Sequence, residues 1–445
     1  MRTFIKLWLG QLVSTIGSYM TVFALMIWVW QTTESATTLA MVSFFSQLPR
    51  IAVMPMAGLI VDRIPRKLLI LVGDMVAALC TLAIALLYIS DQLQIWHLFS
   101  VVAIYGGFGQ LQNLAYSTSI ALLVEPDDYA RAESMVAGVN YSGAIFSPIL
   151  AGSLYPQIGL EGIFGIDLAT FAIALVTLLL SQIPQPLSLS GDPANSDQDA
   201  APAVLTFWQD LSFGFRYIWR SPGLLALVIC FSLFALPNDL GKALYNPMIL
   251  ARSGGDPTVL GHVTTAAGLG GVLGAIIISA WGGFKRRIHG MLLGFMLTGL
   301  FKVILGIGAS VSVWTAAHFA ATLAIPLYYS SSNAIWYSKV PPQLQGRVLA
   351  ADQMIGLTIG ATVPLLAGPL ADRVFEPAMQ PEGWLSPYLS VWFGSAPGSG
   401  MAVLYVLMSL SMVLVGAFGY GVRLLRNVED VLPDSSSCPA TSTHH

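Results

Sequence analysis

Gly58-Leu59-Ile60-Val61-Asp62-Arg63-Ile64-Pro65-Arg66-Lys67 joins an apolar run that begins near Leu39 to another that starts at Leu68. The local picture is a tight, charge-dense turn between two membrane-length helices. Gly58 lets two helices approach closely, as small residues do inside bilayers. Asp62 is placed to cap or face the positive end of a neighbouring helix. Arg63, Arg66 and Lys67 hold the turn on the cytoplasmic side, where basic residues accumulate.

The rest of the chain has the same character. It is 55% hydrophobic and 10% charged, with a mean hydropathy of +0.72, far from a soluble domain. A net charge of -3 offers no basic surface for nucleic acid. Cys80 and Cys230 lie inside apolar runs and Cys438 in the tail, forming neither a disulfide framework nor a metal-ligand spacing. His97, His262 and His318 have no carboxylate or second histidine at ligand spacing, and read as packing residues. No Walker A, HExxH or GxSxG pattern appears, so the expectation is a non-enzymatic protein without metal or cofactor.

Twelve apolar runs follow in order: Leu7–Trp30, Leu39–Val61, Leu68–Ser90, Ile95–Val124, Ser134–Tyr155 and Ile163–Ile183, then Leu224–Leu250, Val259–Gly282, Ile288–Ala309, Val313–Tyr337, Val348–Leu370 and Met401–Val422. Each is near the ~20 residues that cross a bilayer. The first is too long for a signal h-region and lacks a convincing cleavage site, so it remains as a span. Pro184 to Pro202 is rich in Ser, Pro, Asp and Gly and reads as a flexible linker. Val204, Phe207, Trp208, Leu211, Phe215 and Ile218 then recur at helical spacing, which suggests an amphipathic helix at the membrane surface. The expected organisation is a six-helix bundle over 1–183, a cytoplasmic linker over 184–222, a second bundle over 223–422 and a cytoplasmic tail over 423–445.

Charge placement orients the chain. With the N-terminus inside and twelve crossings, only Arg252 and Arg373 fall outside, and Arg50, Lys242 and Lys302 fall within helices. The other lysines and arginines gather on the inner face, which places both termini in the cytoplasm. An internal repeat agrees. Arg131 precedes Ser147-Pro148-Ile149-Leu150-Ala151-Gly152, and Arg347 precedes Val363-Pro364-Leu365-Leu366-Ala367-Gly368 at a constant offset. Each half holds an even number of helices, so the two repeats run parallel. The second half also carries Trp281-Gly282-Gly283-Phe284-Lys285-Arg286-Arg287, which keeps the basic cluster of the opening turn and loses its acid.

Ionisable residues inside apolar helices are costly and are functional candidates by default. Asp239 and Lys242 sit three apart on one helix face and can pair. They read either as a proton-titrating or gate pair, or as a salt bridge near the outer mouth. Arg50, after Pro49, either neutralises an anionic solute or holds a buried carboxylate. Asp74 reads as a latch to Arg63 or Arg66, or as a proton carrier. Asp167 reads as a helix-start residue near the outer interface, or as a further coupling or gate residue. Lys302 snorkels or pairs across the second bundle.

The pattern Gly58-x-x-x-Asp62-Arg63-x-x-Arg66-Lys67 resembles the loop 2–3 signature of the major facilitator superfamily. Gly10-Gln11 through Gly17-Ser18, Trp28, Thr33-Glu34-Ser35, Leu48-Pro49 and Ala371-Asp372-Arg373 add a resemblance to its efflux branch, similar to macrolide exporters and enterobactin-type siderophore exporters. The resemblance implies an all-α membrane fold of twelve transmembrane helices as two parallel six-helix repeats. It implies a latch of Gly58, Asp62, Arg63, Arg66 and Lys67 facing the start of helix 11, where Arg347 and Asp352 lie, with Asp74 and Arg131 beside it. Ser147-Pro148-Ile149-Leu150-Ala151-Gly152 resembles the helix 5 exporter motif G-P-x-x-G-G, with Ser and Ala in place of two glycines. The helix 4 arginine of many drug/proton antiporters has no counterpart between Ile95 and Ala121, which leaves Asp239 as the substitute for coupling. Helices 1, 4, 7 and 10 are expected to face a cavity, here with Gln11, Gln110, Asn113, Tyr116, Asn238, Asn246, Asn333 and Trp336. Such a neutral, aromatic lining suits a bulky amphipathic solute better than a phosphorylated sugar.

The expectation is a proton-coupled exporter of an amphipathic small molecule, working by alternating access as a monomer in the cell (inner) membrane. Its partners would be the solute, protons and the lipid bilayer, with no nucleic acid. An uptake permease of the same fold is the first rival, and a lipid scramblase the second.

Overall fold

The computed structural model describes residues 2–124, 128–181 and 212–431. All regular structure among them is helical. The helices are α1 (Arg2–Thr33), α2 (Ala36–Arg63), α3 (Arg66–Ile89), α4 (Ile95–Leu123), α5 (Tyr129–Leu180), α6 (212–220), α7 (Pro222–Arg252), α8 (Pro257–Trp281), α9 (Arg287–Ile307), α10 (Val311–Leu323), α11 (Ile325–Lys339), α12 (Pro342–Thr362), α13 (Pro364–Leu370), α14 (Glu376–Met379), α15 (Ser386–Phe393), α16 (Ser399–Gly421), α17 (Arg423–Arg426) and α18 (Val428–Val431). Nine helical stretches among the described residues are long and apolar enough to cross a membrane. The 28-residue α2 and 29-residue α4 add two more, and α5 counts twice. Its 52 residues break at Gly159, whose φ of 65° is open to glycine but strained for other residues. Twelve spans result, and the chain is a multi-pass membrane protein.

Several ends differ from the sequence reading for reasons of backbone chemistry. The tenth span is split into α10 and α11 at Ala324, because Pro326 opens the second piece and cannot donate to the preceding turn. The eleventh starts earlier, at Pro342, restarts at Pro364, and runs on through a π-helical turn (Ala371–Phe375) to Met379. Ser35 caps α2 by accepting from the Thr38 amide.

Two compact units partition the chain, one of Met1–Val204 with Ile249–Thr265, the other of Leu205–Met248 with Ala266–His445. In the first, α1 packs along α5, and α4 packs between α2 and α3. In the second, α9 is central, touching α10, α11 and α16. A core of Phe234, Phe295, Tyr328, Ile335 and Trp336 surrounds it and extends to Leu425 and Val428 beyond the last span.

The units repeat one device. At the start of α3, Arg66 Nη1 donates to the Thr118 carbonyl near the end of α4, at 2.6 Å. At the start of α9, Arg287 Nη1 donates to the Ala334 carbonyl near the end of α11, at 2.5 Å. Each cation meets the negative end of a neighbouring helix. Lys67 does the same for the C-terminus of α5, donating to Ser181 O at 2.6 Å. The acid missing from the second turn is supplied from elsewhere. Glu429 accepts from the backbone amides of Arg287 and Ile288 at 3.2 and 3.3 Å, capping α9. Lys339 Nζ in turn donates to the Glu429 carbonyl.

The amphipathic segment before α7 is described only over 212–220. There it docks rather than lying free. Gly214 crosses α12 at Arg347 and Ala351, Ile218 enters the core, and the Arg347 guanidinium lies 5.6 Å from the Phe213 ring centroid. Trp219 stays exposed.

Candidate functional site

Two glycines determine what the first unit can hold. Gly17 lets α1 approach α5 so closely that a Cβ there would lie 3.2 Å from Asp167 Cα and 2.1 Å from Thr170 Oγ1. Ser18 and Thr21, flanking that contact, therefore reach Asp167. Gly73 on α3 leaves room for Gln112, whose side chain would meet an added Cβ at 2.6 Å. Gln112 consequently folds over the neighbouring Asp74.

The result is a chamber of about 290 Å³ among α1, α2, α3, α4 and α5. Asp167, buried at 5% exposure, accepts from Thr81 Oγ1 at 2.9 Å, Thr21 Oγ1 at 3.0 Å and Ser18 Oγ at 3.1 Å. Asp74, at 4%, accepts from Gln112 Nε2 at 2.5 Å and Gln11 Nε2 at 3.2 Å. Such donors stabilise a charge that desolvation would otherwise penalise. Arg50, Tyr105, Gln110, Asn113, Tyr116 and Phe171 complete the wall.

Asp74 thus faces the chamber, with glutamine partners in place of Arg63 or Arg66. Asp167 lies in the interior of α5, about two turns beyond the Gly159 break, instead of at a helix start near the interface. Neither carboxylate takes its hydrogen bonds from Arg50, so the expected structural pairing of that arginine does not form. Gln11, Gln110, Asn113 and Tyr116 line this chamber within the first unit, whereas the sequence reading put them in a cavity shared with helices 7 and 10. Thr21, Thr81 and Tyr105 were not foreseen. The three-residue spacing of Ser18 and Thr21 on one face of α1 was the available signal.

The helix 5 motif is a backbone-close crossing in the same unit. Ser147 Oγ donates to Ile16 O at 2.8 Å. A Cβ on Gly152 would sit 2.7 Å from Pro257 O, and one on Gly261 would sit 2.6 Å from Pro148 O. Thr265 Oγ1 adds a hydrogen bond to Ile145 O at 2.9 Å.

In the second unit, Lys302 does not snorkel. It is buried and donates to Asn238 Oδ1 at 2.7 Å, while Asn238 Nδ2 donates to Asp239 Oδ1 at 3.4 Å. Lys302, Asn238 and Asp239 form a chain, and Lys242 is exposed. Trp336, expected in a cavity, is a core residue at 2% exposure, because α11 turns its ring toward α9. Asn246 and Asp352 are half-buried and Asn333 is exposed. The side chains of Gly58, Asp62, Arg63 and Arg131 lie outside the described residues, and with them the proposed contact of Asp62 with Arg347 and Asp352. No group of three or more His, Cys, Asp or Glu suited to a metal occurs among the described residues.

Residues 7–239 match the family model of the Major Facilitator Superfamily. Macrolide efflux protein A of Streptococcus pyogenes is 23% identical over 376 residues, covering 83% of this chain and 90% of that protein. Multidrug efflux pump Tap of Mycolicibacterium fortuitum is 22% identical over 433 residues, 93% of this chain and 94% of the pump. Among solved structures, a bacterial homolog of the human lysosomal transporter Spinster superposes with a TM-score of 0.66 at 14% identity, covering 96% of both chains.

Proposed function

Because this chain belongs to the Major Facilitator Superfamily, we propose that it is a secondary transporter that exports an amphipathic small molecule in exchange for protons. The observation that carries this reading is the chamber. Two buried carboxylates, an arginine, amides and aromatic rings line one space inside a membrane-spanning bundle, an expensive arrangement that packing alone does not require. Relatives named for macrolide and multidrug efflux, similar over most of this chain, support outward transport and a drug-like solute. The solute enters from the cytoplasm or inner leaflet and leaves as the protein alternates between inward- and outward-open states. Both termini are cytoplasmic in this reading, the membrane is the inner (cell) membrane, and the working unit is a monomer.

Proton coupling needs a group that gains and loses a proton during the cycle. Asp239 is one candidate and Asp167 another. The three hydroxyls around Asp167 can donate to the carboxylate or accept from the carboxylic acid, since each hydroxyl does both. Transport into everted vesicles, with and without an imposed proton gradient, tests the reading. Gradient-driven accumulation of a macrolide is expected, with at least a tenfold loss in Asp167→Asn or Asp239→Asn at unchanged membrane abundance. Accumulation indifferent to the gradient removes proton coupling, and uptake in the opposite direction makes the protein a permease.

A further inference from the structure

The chamber's negative and positive groups are treated differently by the protein around them. Asp74 and Asp167 together accept five hydrogen bonds, all from neutral side chains of α1, α3 and α4. Arg50 lines the same space, yet no described residue accepts from its Nε, which is sealed from solvent. The Tyr116 hydroxyl, also on the wall, is likewise buried without a partner. The two carboxylates of this chamber have protein donors, and the Arg50 Nε has no protein acceptor.

A guanidinium at membrane depth is costly to leave short of acceptors, and the half-buried Arg50 side chain on the chamber wall can meet an oxygen acceptor on a bound solute. Arg offers a planar fork that pairs with carboxylate oxygens two at a time, and its charge strengthens a bond to a carbonyl as well. A lipophilic cation would meet the reverse situation. It would find both carboxylates already holding protein donors and would offer Arg50 no acceptor.

We propose that Arg50, seconded by Tyr116, is the specificity-determining contact of the chamber, and that it selects solutes presenting an oxygen acceptor, a carbonyl or a carboxylate, over acceptor-free lipophilic cations. The proposal rests on the chamber being the solute site of the exporter described above, and it is testable without transport. Purified full-length protein in lipid nanodiscs is titrated with three probes: a macrolide lactone rich in carbonyl oxygens, an aryl carboxylate, and tetraphenylphosphonium. Arg50→Met, which keeps length and removes every donor, is expected to weaken at least one oxygen-bearing probe by tenfold or more relative to tetraphenylphosphonium. The probe that suffers identifies carbonyl or carboxylate as the recognised group.

Arg50→Lys, which keeps the charge and loses the fork, is expected to fall between, and Tyr116→Phe to cost about threefold. Melting curves identify any variant that fails to fold. If Arg50→Met does fail, Arg50→Lys and Tyr116→Phe decide. Equal weakening of all three probes, no weakening, or wild-type protein that binds neither oxygen-bearing probe overturns the proposal. Wild-type binding that follows this pattern without gradient-driven export would leave the proposal standing and remove the exporter reading. Export with binding indifferent to Arg50 would do the opposite.

Discussion

The two units spend their interiors in opposite ways. The first leaves space at mid-span and lines it with Asp74, Asp167, Arg50 and amides. The second fills a comparable region with rings. Phe234 and Phe295 stack with centroids 3.7 Å apart at 10°, Tyr328 meets both edge-on or tilted, and Phe231 closes the cluster. The polar groups of the second unit are drawn into a self-contained chain, Lys302 to Asn238 to Asp239. Halves built from one helical repeat can therefore diverge in task. A packed interior is stiff and holds its shape through close van der Waals contact, whereas a polar chamber must be held open by hydrogen bonds among its own walls. One unit is thus filled with rings and the other keeps a polar space.

Three substitutions probe that contrast. The largest effect is expected at Phe234, 1% exposed and stacked on its neighbour. Phe234→Ala should cost about 3–5 kcal/mol, read as a fall in the unfolding midpoint of the purified protein. A loss below about 1 kcal/mol would show that the second unit is not the stiff one. Next comes Thr81→Val, which keeps shape and removes one donor to Asp167. Hydrogen bonds to charged groups contribute about 1.5–3 kcal/mol, so the same measurement should show a drop of that size. If stability is unchanged, the chamber walls do not depend on their hydrogen bonds and the contrast loses its basis.

The smallest effect is expected at Glu429. Glu429→Gln keeps an acceptor for the α9 amides and removes only the charge facing the helix dipole. It should cost about 0.3–1 kcal/mol, seen as faster hydrogen exchange in the first turn of α9, with the α3 turn of the other unit unaffected. Equal change in both turns would mean that the acid acts globally instead of locally.

Local chemistry was legible where it depended on neighbours in the chain. Hydrophobic run lengths marked the spans, and the basic residues at Arg66 and Arg287 marked turns between them. Pro326 and Pro364 broke helices that hydropathy alone reads as continuous, a detail a count of apolar residues cannot see. The acid that completes the α9 turn was invisible, because Glu429 is 142 residues from Arg287 in the chain.

For Asp74 and Asp167 the sequence suggested the wrong neighbours. Sequence proximity suggested Arg63 and Arg66 for the first and a helix start for the second. Their actual partners come from α1, α3 and α4, brought near by contacts at Gly17 and Gly73 that only packing reveals. Of the two readings of Arg50, the hydrogen-bonded pairing with a buried carboxylate is the one the fold does not make.

The order and polarity of the residues determined that this chain crosses a membrane twelve times as two like halves, because burying a run of apolar side chains in lipid is a decision each segment makes by itself. Which carboxylates share a chamber, which donors satisfy them, and which arginine keeps an Nε without an acceptor were decided only in three dimensions. Those outcomes depend on how closely particular helices approach, and that distance is a property of the packed bundle instead of any one helix.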